Sequence, residues 1–318
     1  MTDEVRYRLR QQVAVAELGQ RALVSTDLDR LMNEATALVA MGLNVELCKV
    51  LELLPDGKAL LLKAGVGWKE GLVGNVTVGA GADSQAGYTL DTNEPVIVED
   101  LRSEERFHGP PLLVEHEVVS GLSTIITGKE RQYGVLGAHT RSKRVFTSDD
   151  VNLLVAVANI LAAAVERTRM ENELKDAEER YRSIIENAAE GFFQNAPDGR
   201  PLIINSAIAR MAGFDSVEEA MANIDTVLSF YQDPSQREAF IGELYKKGEV
   251  KGYEMQARRR DGSPAWFSVN ARVVRGNDGE VLYYEGFVED VTKRREYEDA
   301  LRDSEELNRP DFSGGSIF

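Results

Sequence analysis

FTSDDVNLLVAVANILAAAVERTRMENELKDAEERYRSIIENAAEG, residues 146–191, decides the architecture of this chain. From Thr147 to about Ala189 it reads as one helix in the middle of the sequence. Its apolar positions step by three and four: Leu153, Ala156, Ile160, Ala163, then Met170, Leu174, Ala177, Tyr181, Ile184 and Ala188, with Arg167 breaking the series. That spacing is a heptad seam, the pattern of a helix that pairs with a copy of itself. At 1.5 Å per residue, ~40 residues make a rod of roughly 60 Å, about twice the width of a small domain. Such a helix is expected to leave one domain and enter another. Two separate helices whose periods coincide would give the same pattern.

The 318 residues fit about two domains, and 43% apolar with 28% charged residues is the balance of ordinary soluble globular protein. A formal net charge of −16 argues against a nucleic-acid partner, which needs a basic face to displace counterions. The densest basic spot, Arg258-Arg259-Arg260, precedes a turn and reads as a solvated edge. The single cysteine, Cys48, sits in an apolar strand, excludes an internal disulfide framework and fits a reducing cytosol. Residues 1–25 mix charges throughout and do not resemble a signal peptide. The apolar run Val151–Val165 reads as too short to span a bilayer. The expectation is a cytoplasmic protein with no membrane association of its own, although a longer parent could be tethered.

Outward from the rod, residues 4–24 form a first helix with Leu9, Val13, Ala16, Gln20 and Leu23 at heptad spacing, able to pack beside it. Thr26 opens a second helix with Asp29 three residues later, the capping-box spacing. VELCKVLELL and KALLLKAGVGW then flank the turn Pro55-Asp56-Gly57. A Gly-rich stretch of short extended pieces and loops follows, and VVSGLSTIIT and YGVLGAHT close the half as an antiparallel pair. Ala64-Gly65-Val66-Gly67-Trp68, the block from Gly87-Tyr88 to Pro95-Val96-Ile97-Val98-Glu99-Asp100, Tyr133-Gly134-Val135-Leu136-Gly137 and the Phe146 to Arg167 helix together resemble a GAF domain, over about residues 26–167.

Beyond the rod, GFFQNAP and RPLIIN flank Asp198-Gly199, NSAIARMAGF is a short helix, and Ser216-Val217-Glu218-Glu219 is another capping box. Three more strands, VKGYEMQARR, AWFSVNARVV and EVLYYEGFVEDV, are divided by Asp261-Gly262 and Asp278-Gly279. Two strands, helices and three strands make a five-stranded antiparallel sheet with helices on one face. Asp261-Gly262-Ser263 with Trp266, Tyr284-Glu285-Gly286 and Asp290-Val291-Thr292 resemble a PAS domain of the S-box type, over about residues 181–292. From Lys293 an exit helix carries Tyr297 and Leu301, and RPDFSGGSIF ends the chain without periodicity.

The expected fold class is therefore α+β: two antiparallel-sheet sensory domains, GAF-like then PAS-like, joined by a long coiled-coil-type helix. The expected boundaries are an N-terminal amphipathic helix at 1–25, the GAF-like domain at 26–167, a helical linker at 168–182, the PAS-like domain at 183–292, and the exit helix with its irregular tail at 293–318.

Catalytic motifs are missing. No P-loop and no Gly-x-Ser-x-Gly elbow occurs. His108, His116 and His139 form no pair at metal-ligand spacing. The carboxylates of the rod, such as Glu171, Glu173, Asp176, Glu178 and Glu179, interleave with Lys175 and Arg180 as solvated faces. The second half contains no His and no Cys, which disfavours histidine-ligated haem and a cysteinyl-flavin adduct there. Cys48 lies away from where bilin-attaching GAF-like domains carry their cysteine, so covalent bilin is disfavoured and the cofactor is left unknown. What remains is a non-covalent pocket between sheet and helices. The resemblance points to Trp68, Tyr88, Phe107 and Ser123 in the first domain and to Phe193, Asn205, Trp266 and Tyr284 in the second, where packed core residues are the competing reading.

A cytosolic sensory module without catalysis of its own is the function these readings favour. It would form a homodimer through its rods, bind a small molecule and pass the change to a downstream signalling protein or output domain. Asp290 and Thr292 would anchor the second sheet to the exit helix, and Arg167 would weaken and register the seam, so that Arg167→Leu tightens the dimer. The alternatives are the sensory fragment of a diguanylate cyclase, phosphodiesterase or histidine kinase whose catalytic domain is absent, or a ligand-free dimerisation adaptor.

Overall fold

In the computed structural model, which describes residues 3–25, 27–129 and 131–307, the chain folds as two units, Met1–Lys175 and Asp176–Phe318. The first holds α1 (Asp3–Val24), α2 (Leu28–Leu43), β1 (Leu47–Leu53), β2 (Ala59–Val66), β3 (Thr77–Gly79), α3 (Gln85–Thr92), β4 (Val96–Val98), α4 (Pro111–Val114), β5 (Ser120–Thr127), β6 (Gln132–Thr140) and the first part of α5 (Ser148–Glu186). Its antiparallel sheet has the order β3-β2-β1-β6-β5-β4.

Both faces of this sheet are covered. On one, Cys48 and Val50 of β1 join Leu122, Leu136 and Ala138 against Leu18 and Ala22 of α1, Leu31, Met32, Ala35 and Val39 of α2, and Leu154, Val157 and Leu161 of α5. On the other, Leu51, Leu60, Leu62 and Val135 pack with Ala86 and Leu90 of α3 and Leu112 of α4. The run LCKVLEL is almost continuously buried because alternate side chains enter two different cores. Helix α3 arises where only loops and extended pieces were expected. Ser84 caps it by accepting from Gly87 N, and a Cβ at Gly87 would lie 1.8 Å from Gly81 O, so the helix starts only with glycine there.

The helical stripes differ from the expected seams. In α5 the buried positions are Leu153, Leu154, Val157, Ala158, Leu161, Ala162 and Ala164, a broad face pressed on a sheet rather than the narrow 153–156–160–163 line. Among the described side chains of α1 the buried ones are Leu18 and Ala22, while Val13 and Leu23 are exposed. The shift has one cause: a helix lying on a sheet needs a face over 100° wide, and a heptad line supplies less. Farther along α5, Met170, Leu174, Tyr181 and Ile184 are each at least half exposed. An 18-residue window of α5 has mean hydropathy 1.5, long and apolar enough by composition alone to cross a membrane, contrary to the reading of the run as too short; the core helix of a soluble protein passes the same test. The N-cap of α2 is Asp27, accepting from Arg30 N at 2.9 Å. Thr26, the Leu9 side chain and the tail RPDFSGGSIF lie outside the described residues.

The second unit contains the end of α5, β7 (Gly191–Asn195), β8 (Pro201–Ile204), α6 (Ser206–Ala212), α7 (Val217–Asn223), α8 (Pro234–Lys247), β9 (Glu249–Arg258), β10 (Pro264–Arg275), β11 (Val281–Asp290) and α9 (Thr292–Leu307). Its antiparallel sheet runs β8-β7-β11-β10-β9, with Gly286 of β11 opposite both Ala271 and Phe193. Phe193, Ile204, Met255, Val269 and Tyr284 from the sheet meet Ala209, Ala220, Phe240 and Leu244 from the helices. At the N-cap Ser216 the hydroxyl accepts from Glu219 N at 3.1 Å, and the Glu219 carboxylate accepts from Asp215 N at 3.0 Å, one residue before the position a capping box uses.

Candidate ligand sites

In the first unit the sheet face turned toward α3 and α4 is polar at its centre. Lys49, one position from Cys48, points to this face and is 3% exposed. Its ammonium lies 5.4 Å from the centre of the Trp68 ring, and no carboxylate is within salt-bridge reach among the described residues. Burial lowers its pKa from 10.5 to about 7, against a small opposing pull from Cys48. His139, on neighbouring β6, is fully buried and neither ring nitrogen has a hydrogen-bond partner. Burial, then the Lys49 charge, hold its pKa well below the ordinary histidine value. The ring rests on backbone cleared of side chains: a Cβ at Gly121 would come 2.6 Å from His139 Nδ1 and 3.2 Å from Gln85 Oε1, and one at Gly137 2.9 Å from Nε2.

Trp68 closes this centre. Its Nε1 donates to Cys48 O at 2.7 Å, and its ring stands edge-on to His116 at 4.9 Å and His139 at 6.1 Å. His116 Nε2 accepts from Lys69 N at 3.1 Å, which makes Nδ1 the protonated nitrogen that donates to Leu112 O at 2.8 Å. Ser123 lies across Gly121 from His139, receiving Gln85 Nε2 at 3.0 Å and paired with Thr89 Oγ1 at 2.8 Å. Tyr88 and Phe107 meet each other at 5.4 Å in a separate cluster with Val96 and Val98. The four residues named from the sequence are thus divided among three places, and Lys49, His116, His139, Gln85 and Thr89 join two of them. Cys48 faces the helical core, where burial raises its thiol pKa and leaves it inert. Among the described residues, no His, Cys, Asp or Glu group could hold a metal ion.

The second unit forms a partly open cavity of about 110 Å³ between sheet and helices. Its wall is mostly apolar, including Phe193, Ile204, Ile208, Phe240, Met255 and Val269, with Asn195, Tyr231 and Arg237 as its polar members. Of the residues named from the sequence, only Phe193 lines it. Asn205 uses its side chain elsewhere: Oδ1 accepts from Phe192 N at 2.9 Å and Ile208 N at 3.1 Å, and Nδ2 donates to Ile185 O at 2.8 Å and Glu190 O at 3.0 Å. It caps α6 and fastens the end of α5. Tyr284 is buried beside Tyr245, ring centres 6.0 Å apart, without reaching the cavity wall. Trp266 carries the Arg295 guanidinium over its ring at 4.8 Å.

Asp290 and Thr292 hold the end of β11 to α9. Asp290 Oδ1 accepts from Thr292 N at 3.0 Å and Thr292 Oγ1 at 2.6 Å, Oδ2 accepts from Arg259 Nη2 at 2.7 Å, and Thr292 Oγ1 accepts from Trp266 N at 2.9 Å. Burial works to raise the Asp290 pKa, and the bonds from Thr292 and Arg259 outweigh it, holding the carboxyl below the usual range. The expected solvated edge at Arg258–Arg260 is corrected for Arg259, which also donates to Met211 O at 2.6 Å, while Arg258 and Arg260 are exposed and Arg260 pairs with Glu219. In the first unit Arg167 donates to Ala22 O at 2.6 Å and to Ser25 O, capping the carboxyl end of α1.

Comparison with known proteins follows this division. Residues 27–165 match the family model described as a GAF domain, and residues 189–293 the one described as a PAS domain. A probable diguanylate cyclase of Escherichia coli strain K12, DgcE, is 26% identical over 149 residues, 46% of this chain and 13% of that protein. A methyl sulfide methyltransferase-associated sensor of Methanosarcina acetivorans is 22% identical over 173 residues, 53% of this chain and 17% of that one. The chain therefore spans 13% and 17% of the length of these relatives. Among solved structures, the GAF domain of an Acinetobacter phosphoenolpyruvate-protein phosphotransferase aligns with 52% of this chain and 98% of its own at 20% identity and a TM-score of 0.45. A PAS domain from a two-component sensor histidine kinase aligns with 38% of this chain and 98% of its own at 20% identity and a TM-score of 0.31. The chain is a GAF domain followed by a PAS domain, the two joined in sequence by the helix Ser148–Glu186.

Proposed function

We propose that this chain is a cytosolic sensory module without catalysis of its own, in which the PAS unit binds a small molecule non-covalently and the result passes along helices that pair with those of a second copy. The observation that carries the reading is the cavity between sheet and helices of the PAS unit. Protein interiors pack densely, and a void of this size lined by Phe193, Phe240 and Met255 forfeits contacts that an occupant would restore. Support for the paired helix comes from Met170, Leu174, Tyr181 and Ile184, exposed at steps of four, seven and three along α5. Covered by the same stripe of a second copy, they form a short coiled-coil seam. A ligand that binds better to one pairing shifts the population toward it. The names of the two relatives, a sensor and a probable diguanylate cyclase, fit a part whose output is another domain or protein.

Native mass spectrometry of the purified chain, with an absorption spectrum, tests the reading. A retained or titratable small molecule that is lost in Ala212→Leu, a substitution that fills the cavity wall, is the expected result. A chain that takes up nothing and behaves identically in that variant is a dimerisation adaptor instead.

A further inference from the structure

This inference rests on the cavity reading above and names the chemistry of its occupant. Arg237 of α8 lines the cavity and is 8% exposed. Its guanidinium lies 5.8 Å from the ring of Tyr231, 5.8 Å from Phe240 and 6.0 Å from Tyr284. None of those ring contacts is a conventional hydrogen bond from its N–H groups. Of five N–H donors, the one hydrogen bond among the described residues is a long 3.5 Å contact from Nη1 to the Tyr231 hydroxyl. No carboxylate of the described chain pairs with it. Arginine cannot shed its proton, so a guanidinium 8% exposed with no carboxylate partner among the described residues is a place where a bound anion is favoured.

Asn195 supplies a second, independent mark. It is 4% exposed, lines the same cavity, and its Oδ1 is buried without a partner. One cation, one unsatisfied amide and an otherwise apolar wall define an occupant with a charged end and an apolar body. A carboxylate carries a single charge and two oxygens that match the guanidinium fork. A phosphate dianion would bring twice the charge to a single cation in a wall that is otherwise apolar, and would remain undercompensated. The geometry points to a small monocarboxylate, an aromatic or short aliphatic acid, with its carboxylate on Arg237, its apolar body against Phe193, Ile204 and Met255, and Asn195 reading a further polar group.

Isothermal titration of the full chain tests this with four probes: benzoate, hexanoate, and the neutral counterparts benzyl alcohol and hexan-1-ol. The acids are expected to bind at least tenfold more tightly than the alcohols. Arg237→Gln should weaken the acids by about 10- to 100-fold, the span of a charge-assisted hydrogen-bond pair, and leave the alcohols unchanged. Arg237→Lys should recover part of the loss, because charge remains while the fork is gone. The comparison of acid with alcohol in the unaltered chain needs no variant and stands even if one fails to fold. Acids and alcohols binding equally, or Arg237→Gln leaving the acids untouched, overturns the carboxylate assignment while the cavity reading survives. Failure of all four probes to bind overturns both.

Discussion

Lys49 offers the sharpest test of the interior of the GAF unit. An unfolded chain keeps this lysine protonated to about pH 10.5, whereas burial brings the folded value to about 7. Between those limits the unfolded state binds the extra proton, so stability rises with pH by up to ~1.4 kcal/mol per unit. His139, also depressed, acts only as pH falls below its ordinary value of 6.5, and Cys48, raised, only above about 9. The window from pH 7 to 8.5 isolates Lys49. Integrating across it gives about 1.6 kcal/mol, or a midpoint shift of roughly 0.8 M urea at an m-value near 2 kcal/mol/M. Trp68 reports on this unit because the other tryptophan, Trp266, lies in the PAS unit, and Trp266→Phe removes that second signal. In that background Lys49→Met should flatten the profile and raise stability at pH 7 by up to about 3 kcal/mol, after a loss of ~1 kcal/mol for the contact with the Trp68 ring. A wild-type midpoint that does not move between pH 7 and 8.5, or a Met variant with the same slope, would refute the reasoning.

Leu174→Glu places a charge in the proposed seam and should convert a dimer to monomer in sedimentation equilibrium; an unchanged association constant removes α5 from the interface. Arg167→Leu strips the acceptors Ala22 O and Ser25 O of their donor, so amide exchange in the last turn of α1 should accelerate, by the equivalent of about 1–3 kcal/mol. Unaltered protection there would mean that α1 is held by packing alone, and sedimentation of the same variant tests whether the seam tightens. Asp290→Ala removes the acceptor of Thr292 and Arg259 and should destabilise the PAS unit by roughly 2–4 kcal/mol at neutral pH. Because the folded carboxyl titrates below 3.8, its contribution is complete above that value and disappears as acid is added. The stability difference between variant and wild type should therefore shrink progressively as the pH falls below 3.8 in urea unfolding.

The strand pairs were legible in the sequence because their turns are local. Asp198-Gly199 and Asp261-Gly262 place glycine at φ +90° and +84°, conformations that other residues resist. The helix Ser148–Glu186 was legible from periodicity, but which face it buries was not: a heptad line and a sheet-packing face share Leu153 and then diverge. Lys49 and His139 were hidden for a different reason. Strand alternation assigns each to a face, yet whether that face is roofed depends on α3 and α4, whose position follows from long-range packing. Arg237 sits in a helix rich in charged residues, QREAFIGELYKK, where nothing in the spacing marks it as the one to face inward. Only the fold reveals that its guanidinium turns inward beside Phe240. Asn205 and Trp266 were named for a pocket and instead secure the ends of the PAS sheet, because short polar and aromatic residues near turns serve caps as readily as ligands.

The two units meet one difficulty in opposite ways. Each buries a basic side chain against aromatic rings with no carboxylate partner among the described residues: Lys49 beside Trp68, Arg237 among Tyr231, Phe240 and Tyr284. Lysine can lose its proton, and the folded value near 7 means that the GAF interior becomes neutral within the physiological range without any partner. Arginine has no such escape. On the proposed carboxylate assignment an anion taken in by the PAS unit would pair this charge, so a ligand is expected to change its stability more than a shift of pH from 7 to 8.5 does. The proton and the organic anion would thus act on different halves of the chain, the first through Lys49 and the second through Arg237. That separation predicts additive effects on unfolding: titrating pH from 7 to 8.5 should move the Trp68 transition with benzoate present or absent, and benzoate should move only the Trp266 transition.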